Sequence, residues 1–233
     1  MIMDTLIKGL THTLYLVLTG DPEVFQITLF TLRVTGTATL ISVLIGVPIG
    51  LFLAFRVFRG RYLAVSMVNL GMGLPPVVVG LFVSLMLWRS GPLGFLNLQY
   101  TPTAVVIAQA IIASPIVTGF TMAAVGQLNP KIRLQILALG ASRSQLLWLI
   151  LKEARLGLLA AVIAGFGGVV SEVGAAMMVG GNIPGLTRTL TTATVMEVSK
   201  GNFDISVALS VILLLLAYVI TFSLTVLQQK GRY

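Results

Sequence analysis

The chain has 233 residues, of which 57% are hydrophobic and only 9% are charged, and its formal net charge at pH 7 is +8. It contains no cysteine and a single histidine, which excludes disulfides, thiolate metal sites and histidine-based metal centres. This composition indicates an all-α membrane protein with several spans, because long apolar runs must satisfy their backbone groups as helices in lipid.

The first 20 residues predict a helix that lies in the membrane interface. Leu6, Leu10, Leu14 and Val17 recur at helical spacing with polar residues between them. A cleavable signal peptide is the less favoured alternative, because a positive n-region and a small-residue cleavage site are missing. The rest of the chain, 21–233, is predicted to form one membrane domain.

Five apolar segments are each long enough to cross a bilayer, which takes about 20 residues. They lie at about 26–55, 62–88, 101–125, 156–179 and 205–227. Glycine and proline interrupt the first three of them, at 46–50, at 71–76 and at 114–115. Such interruptions predict kinks that surround a cavity or gate, although ordinary helix packing is the alternative.

Basic residues predict the orientation of this bundle. An outside N-terminus leaves only Lys8, Arg89, Arg188 and Lys200 on the outer face. The cytosolic face then receives Arg56, Arg59, Arg61, Lys131, Arg133, Arg143, Lys152, Arg155, Lys230 and Arg232. Positive residues favour the inside, so we predict an outside N-terminus and an inside C-terminus. The same rule explains the net positive charge without any binding of nucleic acid.

Two charged residues lie within the predicted spans, where charges mark candidate functional positions. Arg33 is near the outer end of the first span, and Glu172 is about two turns from the outer end of the fourth. Because their depths are similar, we predict an ion pair that latches an outer gate in one conformation. In the alternative, Arg33 reaches to the interface and Glu172 bonds to local backbone or to Ser171.

The segment 129–155 predicts two short cytosolic helices joined by a tight turn. Asn129 suits a helix N-cap, Pro130 suits the first helical position, and Gly140 suits the left-handed residue past a helix end. The first helix, about 131–139, is too short to span a bilayer and too apolar for a free loop. It therefore needs a groove on a partner.

The second helix is predicted to begin at once, because Ser142 and Gln145 form a capping-box pattern. The chain lacks a Gly-Lys dipeptide, which excludes a phosphate-binding loop of the Walker type. Its lone histidine also leaves no Ser, His and Asp set. These absences favour a transporter subunit that takes its energy from another protein over a membrane enzyme.

The tract 139–151 resembles the cytosolic loop of permease subunits of binding-protein-dependent ABC importers. In that family a glycine is followed ten residues later by an isoleucine, as Gly140 is by Ile150 here. The chain departs from the family at 134–136, where Glu-Ala-Ala is usual, and at 152–153, where Leu-Pro is usual. The resemblance implies a type I importer permease whose coupling residues are Ile132, Ile136, Leu139, Gly140, Ala141, Ser142 and Ile150.

Residues 170–183, with 187–193, resemble the tungstate-type permeases, relatives of the molybdate permeases, and the resemblance extends from about residue 21. It implies import of tungstate, or of molybdate or another tetrahedral oxyanion, across the cytoplasmic membrane of a prokaryote. The implied partners are a second copy, a pair of ATPase subunits and an external binding protein. The chain itself would need no cofactor, because the ATPase subunit binds ATP.

The resemblance also implies a path between two copies, lined by weakly holding donors. The gate and path candidates are Arg33, Ser114, Ser171, Glu172 and Asn182. The outer loop 180–204 carries five threonines and Arg188, and it is the expected landing site of the binding protein. A solvated loop arginine is the alternative for Arg188.

Two other classes of protein agree less well with the sequence. A secondary transporter or channel would need its own coupling-ion sites or inverted repeats, which the sequence does not show. A structural subunit of a larger complex would have no reason for capped helices on the cytosolic face.

Overall fold

The computed structural model describes residues 2–230, with side chains described from residue 7 onward except at positions 17 and 130. The outermost positions of the predicted 1–20 and 21–233 regions, 1 and 231–233, lie outside the described residues. The described part contains eleven α-helices and one short 3-10 helix at Gly94–Leu96. The α-helices are α1 (Ile2–Thr19), α2 (Pro22–Phe55), α3 (Arg61–Met72), α4 (Pro76–Leu87), α5 (Pro102–Gly126), α6 (Pro130–Ala138), α7 (Arg143–Glu153), α8 (Arg155–Val170), α9 (Gly174–Gly180), α10 (Leu190–Ser199) and α11 (Phe203–Lys230).

Three of these helices, α2, α5 and α11, are long and apolar enough to cross a membrane alone. Two pairs reach that length only together: α3 with α4, bent by 100°, and α8 with α9, bent by 60°. Counting each pair as one span gives the five that the sequence predicts. The second and fourth spans are therefore broken, whereas the sequence suggested kinks in the first three.

The prolines of the first and third spans do not end their helices. Pro48 lies inside α2 and Pro115 lies inside α5. In the turn before Pro115, the carbonyl oxygen of Ala110 accepts hydrogen bonds from the hydroxyls of Ser114 (2.6 Å) and Ser42 (3.2 Å). The carbonyl that loses its N–H donor to Pro115 is that of Ile111, four positions earlier, so these two hydroxyls add hydrogen bonds beside the proline and do not replace the missing one.

Two glycines of the first span, Gly46 and Gly50, serve close packing against α5. A Cβ added to Gly46 would lie 2.9 Å from the Cβ of Val117, and one added to Gly50 would lie 2.7 Å from the Cβ of Thr121. Small residues four positions apart let two helix backbones approach in a membrane. Ordinary packing, the alternative weighed above, therefore explains Gly46 and Gly50.

The helix α1 packs against α11 through a face that the sequence did not predict. Gly9, Thr13 and Leu16 are buried, and a Cβ on Gly9 would lie 2.5 Å from Val207 of α11. Leu10 and Leu14 of the predicted stripe are exposed, while the side chains of Leu6 and Val17 lie outside the described set. The interfacial position of α1 stays a prediction.

Three apolar clusters among the described residues hold the spans together, and one of them joins α2 to α10 and α11. The remaining two lie at opposite ends of the predicted bundle. One joins α2, α4, α5 and α9 on the predicted outer side. The other joins the end of α5 to α7 and lies against the end of α2, on the predicted cytosolic side. This second cluster positions the segment from Asn129 to Ala154.

Candidate functional site

The helix α6 begins and ends where the sequence predicts. Asn129 is its N-cap, and the Asn129 carboxamide oxygen accepts a hydrogen bond of 2.9 Å from the backbone N–H of Lys131. The predicted range of about 131–139 corresponds to the observed Pro130–Ala138. Local capping chemistry is thus sufficient to place this helix.

The turn after α6 is fixed by backbone hydrogen bonds around Gly140, whose φ is +79°. The Gly140 N–H donates to the carbonyl of Leu137 (3.0 Å), and the Ala141 N–H donates to the carbonyl of Ile136 (3.3 Å). This pair of bonds is the Schellman motif, which needs a left-handed residue at the position of Gly140. The predicted role of this glycine is confirmed.

The helix α7 starts with the predicted capping box. The Ser142 N–H donates to Oε1 of Gln145 (2.8 Å), and the Gln145 N–H donates to the Ser142 hydroxyl (3.3 Å). Only Gly140 and Ala141 therefore separate the C-cap of α6 from the N-cap of α7. The two helices and their turn form a structured element, which we call the coupling elbow (Asn129–Glu153).

One side of the coupling elbow is buried against the membrane helices. Ile150 is only 2% exposed and clusters with Val125 of α5, Leu146 and Ala154, while Ile136 packs against that cluster. Ile150 was predicted to belong to the coupling surface. Its burial means that it anchors the elbow to the bundle and does not itself contact a partner.

The exposed side of the elbow carries large apolar side chains together with the cations Lys131, Arg133 and Arg143. Leu139 is 88% exposed and Leu134 is 67% exposed, although both are large hydrophobic residues outside the predicted spans. Gly140 and Ser142 are exposed as well, whereas Ile132 and Ala141 are half-buried. A short capped helix that exposes large apolar side chains suits insertion into a groove of another protein.

The structure does not bring Arg33 and Glu172 together. Arg33 is exposed on α2, and among the described residues the ion pairs join Arg188 to Glu23 and Lys200 to Glu197. Glu172 is buried, and Oε1 of Glu172 accepts a hydrogen bond of 2.7 Å from the Ala175 N–H. The predicted latch is not formed in this conformation, where Glu172 bonds to local backbone in the first turn of α9, as the alternative describes.

The other path candidates lie in different environments. Ser114 lines a groove of about 560 Å³ between α2, α3 and α5, together with Pro115 and Thr118. Ser171 is exposed, and its hydroxyl donates to the carbonyl of Gly167. Asn182 is 3% exposed, and its amide donates to the carbonyl of Thr192. Of these three candidates, Ser114 is the one placed at the groove between α2, α3 and α5.

The Arg188 side chain is held by contacts within the chain. Its side chain is 11% exposed, and Nη1 donates to Oε1 of Glu23 at 3.3 Å, at the start of α2. Its Nη2 lies 3.4 Å from the sulfur of Met196. The solvated-loop alternative is excluded, and a direct contact of Arg188 with a binding protein would need this pair to open.

Most threonines of the outer loop belong to the interior. Four of them, Thr187, Thr189, Thr191 and Thr192, are at most 5% exposed. The Thr189 hydroxyl caps α10, and the Thr191 hydroxyl donates to the backbone carbonyl of Glu172 (2.9 Å). The Thr187 and Thr191 hydroxyls therefore hold the loop against the fourth span, and the Leu190 N–H donates to the hydroxyl of Thr31 on α2, so these threonines face the interior and not an outer surface.

Sequence reasoning missed Gln109, a buried amide in the third span. It is 1% exposed, its Nε2 donates to the carbonyl of Val169 at 3.4 Å, and its Oε1 has no described partner. A single uncharged amide within an apolar run was the available signal. It was overlooked because only charged residues were counted as costly in lipid.

The comparisons with known proteins bear on this geometry. The sequence profile of the family described as "Binding-protein-dependent transport system inner membrane component" matches residues 46–233, which include the whole coupling elbow. The chain belongs to this family. As a binding-protein-dependent inner membrane component, it is a permease subunit of an ABC importer and a multi-pass protein of the cytoplasmic membrane.

Two relatives of this inner membrane component cover most of its length. The tungstate uptake system permease protein TupB of Peptoclostridium acidaminophilum is 36% identical over 228 residues, which are 98% of this chain and 100% of that one. A probable anion ABC transporter permease protein of Haloferax volcanii is 41% identical over 196 residues, or 82% and 84% of the two chains.

A solved structure supports the fold of this inner membrane component. The MetNI methionine ABC transporter, in inward-facing conformations, contains a chain that superposes with a TM-score of 0.74 at 18% identity. The match covers 91% of this chain and 98% of that chain. The predicted permease fold is thereby confirmed.

Proposed function

We propose that this permease imports a tetrahedral oxyanion, tungstate in the first place, and that ATP hydrolysis on a separate subunit drives it. The observation that carries the choice of anion is the full-length similarity to the tungstate uptake permease of P. acidaminophilum. The similarity to a probable anion permease supports the same class of substrate. Molybdate is the alternative, because it is also a tetrahedral dianion.

The coupling elbow is the proposed contact with the ATPase. Its exposed apolar residues, Leu134 and Leu139, would enter a groove of the ATPase, and its buried residue Ile150 would pass the movement to α5. A conformational change in the ATPase then shifts the spans between two arrangements, because the elbow is packed against them and cannot move independently.

A second copy is the proposed partner within the membrane. Five spans are too few to enclose a hydrated path, and a two-fold pair provides a path along the symmetry axis. An external binding protein would deliver the anion to the outer mouth. Discrimination between tungstate and molybdate is assigned to that protein, since we find no buried cationic trap for a dianion among the described residues.

Uptake by reconstituted vesicles tests the proposed anion. The chain, its ATPase and its binding protein would be reconstituted with internal ATP, and uptake of labelled tungstate, molybdate and sulfate would be compared. We expect ATP-dependent tungstate uptake that exceeds molybdate uptake at equal concentration. Uptake of an organic solute instead of all three anions would contradict the proposed substrate class.

Co-purification tests the proposed ATPase contact. Leu139→Asp should reduce the amount of ATPase that purifies with the permease, because it places a charge in an apolar contact. The matched control is Ser144→Asp, which adds the same charge to an exposed residue at the start of α7 and should leave the complex intact. Equal recovery of ATPase with both variants would refute the role of Leu139.

A further inference from the structure

A polar pocket of about 440 Å³ lies where α4 ends and the chain turns toward α5. It is lined chiefly by Leu87, Trp88, Arg89, Asn97, Gln99 and Tyr100. The Tyr100 N–H donates to the carbonyl of Val179, near the end of α9, at 2.9 Å. The pocket therefore lies where the second, third and fourth spans meet, on the predicted outer side of the membrane.

Gln99 lines this pocket, and its side-chain oxygen is an unsatisfied acceptor that a small side-chain movement would open to a ligand there. Its Nε2 donates to the Ser84 hydroxyl (2.8 Å) and to the carbonyl of Met178 (3.3 Å), which fixes the orientation of the amide. Its Oε1 is buried and has no hydrogen-bond partner in the described part of the chain. A buried acceptor without a donor is costly, so the pocket is suited to a ligand that brings a hydroxyl or an N–H.

Arg89 supplies a positive charge beside that acceptor. It is exposed, and none of the ion pairs formed within the described residues involves it. A guanidinium group binds phosphate oxygens well, because its donors match their geometry. The pocket thus combines a binding group for an anionic phosphate with an acceptor for a neutral donor.

An apolar groove of about 460 Å³ adjoins the pocket and shares Leu87 with it. Its walls are entirely apolar and include Val78, Phe82, Met86, Leu93, Leu96 and Ile107. Trp88 and Tyr100 stand at the polar end, with their rings edge to face and 6.4 Å between centroids. Tryptophan and tyrosine are enriched at the level of lipid headgroups. The pocket is thus polar and the adjoining groove apolar, in the same order as the headgroup and the acyl chain of a lipid.

We propose that the pocket and groove together bind one anionic phospholipid of the outer leaflet. The phosphate lies on Arg89, a headgroup hydroxyl donates to Oε1 of Gln99, and an acyl chain occupies the groove. Phosphatidylglycerol has all three features. A free, fully ionised oxyanion has no proton to donate to Gln99 and leaves the groove empty, so the lipid fits better than the transported anion.

Tryptophan fluorescence tests this site, because the chain has only two tryptophans, Trp88 and Trp148. In the full chain carrying Trp148→Phe, Trp88 is the single reporter. The protein would be reconstituted in phosphatidylcholine, and brominated phosphatidylglycerol or brominated phosphatidylcholine would be added as a quencher. We expect the phosphatidylglycerol probe to be favoured at Trp88 by about fivefold, the ratio for about 1 kcal/mol from one basic residue.

Charge variants and competitors complete the test. Arg89→Gln should abolish the preference, whereas Lys8→Gln, which removes another predicted outer charge, should leave it unchanged. Equal quenching by both lipids would overturn the proposal. Absence of quenching by either lipid would show that protein, such as a second copy, covers the pocket. Displacement of the brominated lipid by sodium tungstate would show an oxyanion site, which also overturns the proposal.

Discussion

The guanidinium of Arg133 lies 5.6 Å from the centroid of the Phe55 ring, so α6 is in contact with the last residue of α2. Arg133 lies on the exposed side of the coupling elbow, and Phe55 packs against the cluster around Ile150. The contact links the proposed ATPase-binding helix directly to the first span, in addition to the apolar cluster that links it to α5.

Replacing Arg133 by Gln should weaken coupling without unfolding the protein. An exposed cation over an aromatic ring contributes about 0.5–1 kcal/mol, which is too little to decide folding but enough to loosen one contact. We expect more ATP hydrolysed per anion imported, measured in the reconstituted system. Arg133→Lys keeps a cation over the ring and should stay closer to the natural ratio; if Lys behaves like Gln, the cation contributes nothing here.

Replacing Gly140 separates backbone strain from steric clash. A Cβ at this position would meet no atom within 4 Å, so the cost of a side chain comes from the φ of +79°. That cost is roughly 1–2 kcal/mol for most residues and less for Asn. Gly140→Val should lower ATPase recovery and thermal stability more than Gly140→Asn. Equal losses in the two variants would show that the left-handed turn is not the reason for the glycine.

Ile150 and Leu139 should respond oppositely to truncation. Ile150→Ala removes a buried side chain and should lower the free energy of unfolding by about 2–5 kcal/mol. Leu139→Ala removes an exposed one and should change stability by less than about 0.5 kcal/mol. Thermal denaturation in detergent measures both. A large loss at Leu139 in the isolated permease would mean that its side chain packs within the chain.

Protonation of Glu197 at acid pH should destabilise the C-terminal end of α10. Hydrogen bonds from the Asn202 amide (2.7 Å) and then the Lys200 ammonium (2.6 Å) lower the pKa of the Glu197 carboxyl from its ordinary 4.5. A lowered folded pKa stabilises the protein above pH 4.5, and this stabilisation is lost as the pH falls through the folded pKa. Glu197→Gln should therefore show a smaller loss of melting temperature on acidification than the natural chain, in parallel pH titrations; parallel curves would contradict the assignment.

Local signals predicted the coupling elbow in detail, whereas long-range contacts were not predictable. Caps and the left-handed glycine act over a few neighbouring residues, so Asn129, Gly140 and Ser142 have the roles that the sequence indicates. The burial of Ile150 depends on α5 and α8, which no local pattern reveals. The partner of Arg188 is 165 positions away in sequence, and similar depth alone did not identify it.

The membrane spans show the same difference between local signals, which were predictable, and long-range contacts, which were not. Hydropathy located all five, but it did not distinguish the proline that breaks a helix from the prolines that do not. Pro75 lies in the break between α3 and α4, while α5 continues through Pro115. The hydroxyl of Ser42 on α2 bonds the carbonyl of Ala110 beside Pro115, so α5 is supported there by a contact with a different helix that the residues around the proline do not reveal.

The cluster around Ile150 gives the long third span the properties of a lever. The 25 residues of α5 extend for about 38 Å, so a tilt of about 10° at its cytosolic end moves its far end by about 6–7 Å. Displacement of that size is comparable to the diameter of a hydrated ion. Because α5 continues through Pro115 as one helix, a movement at the proposed ATPase contact would reach the opposite face of the membrane without a break in the helix.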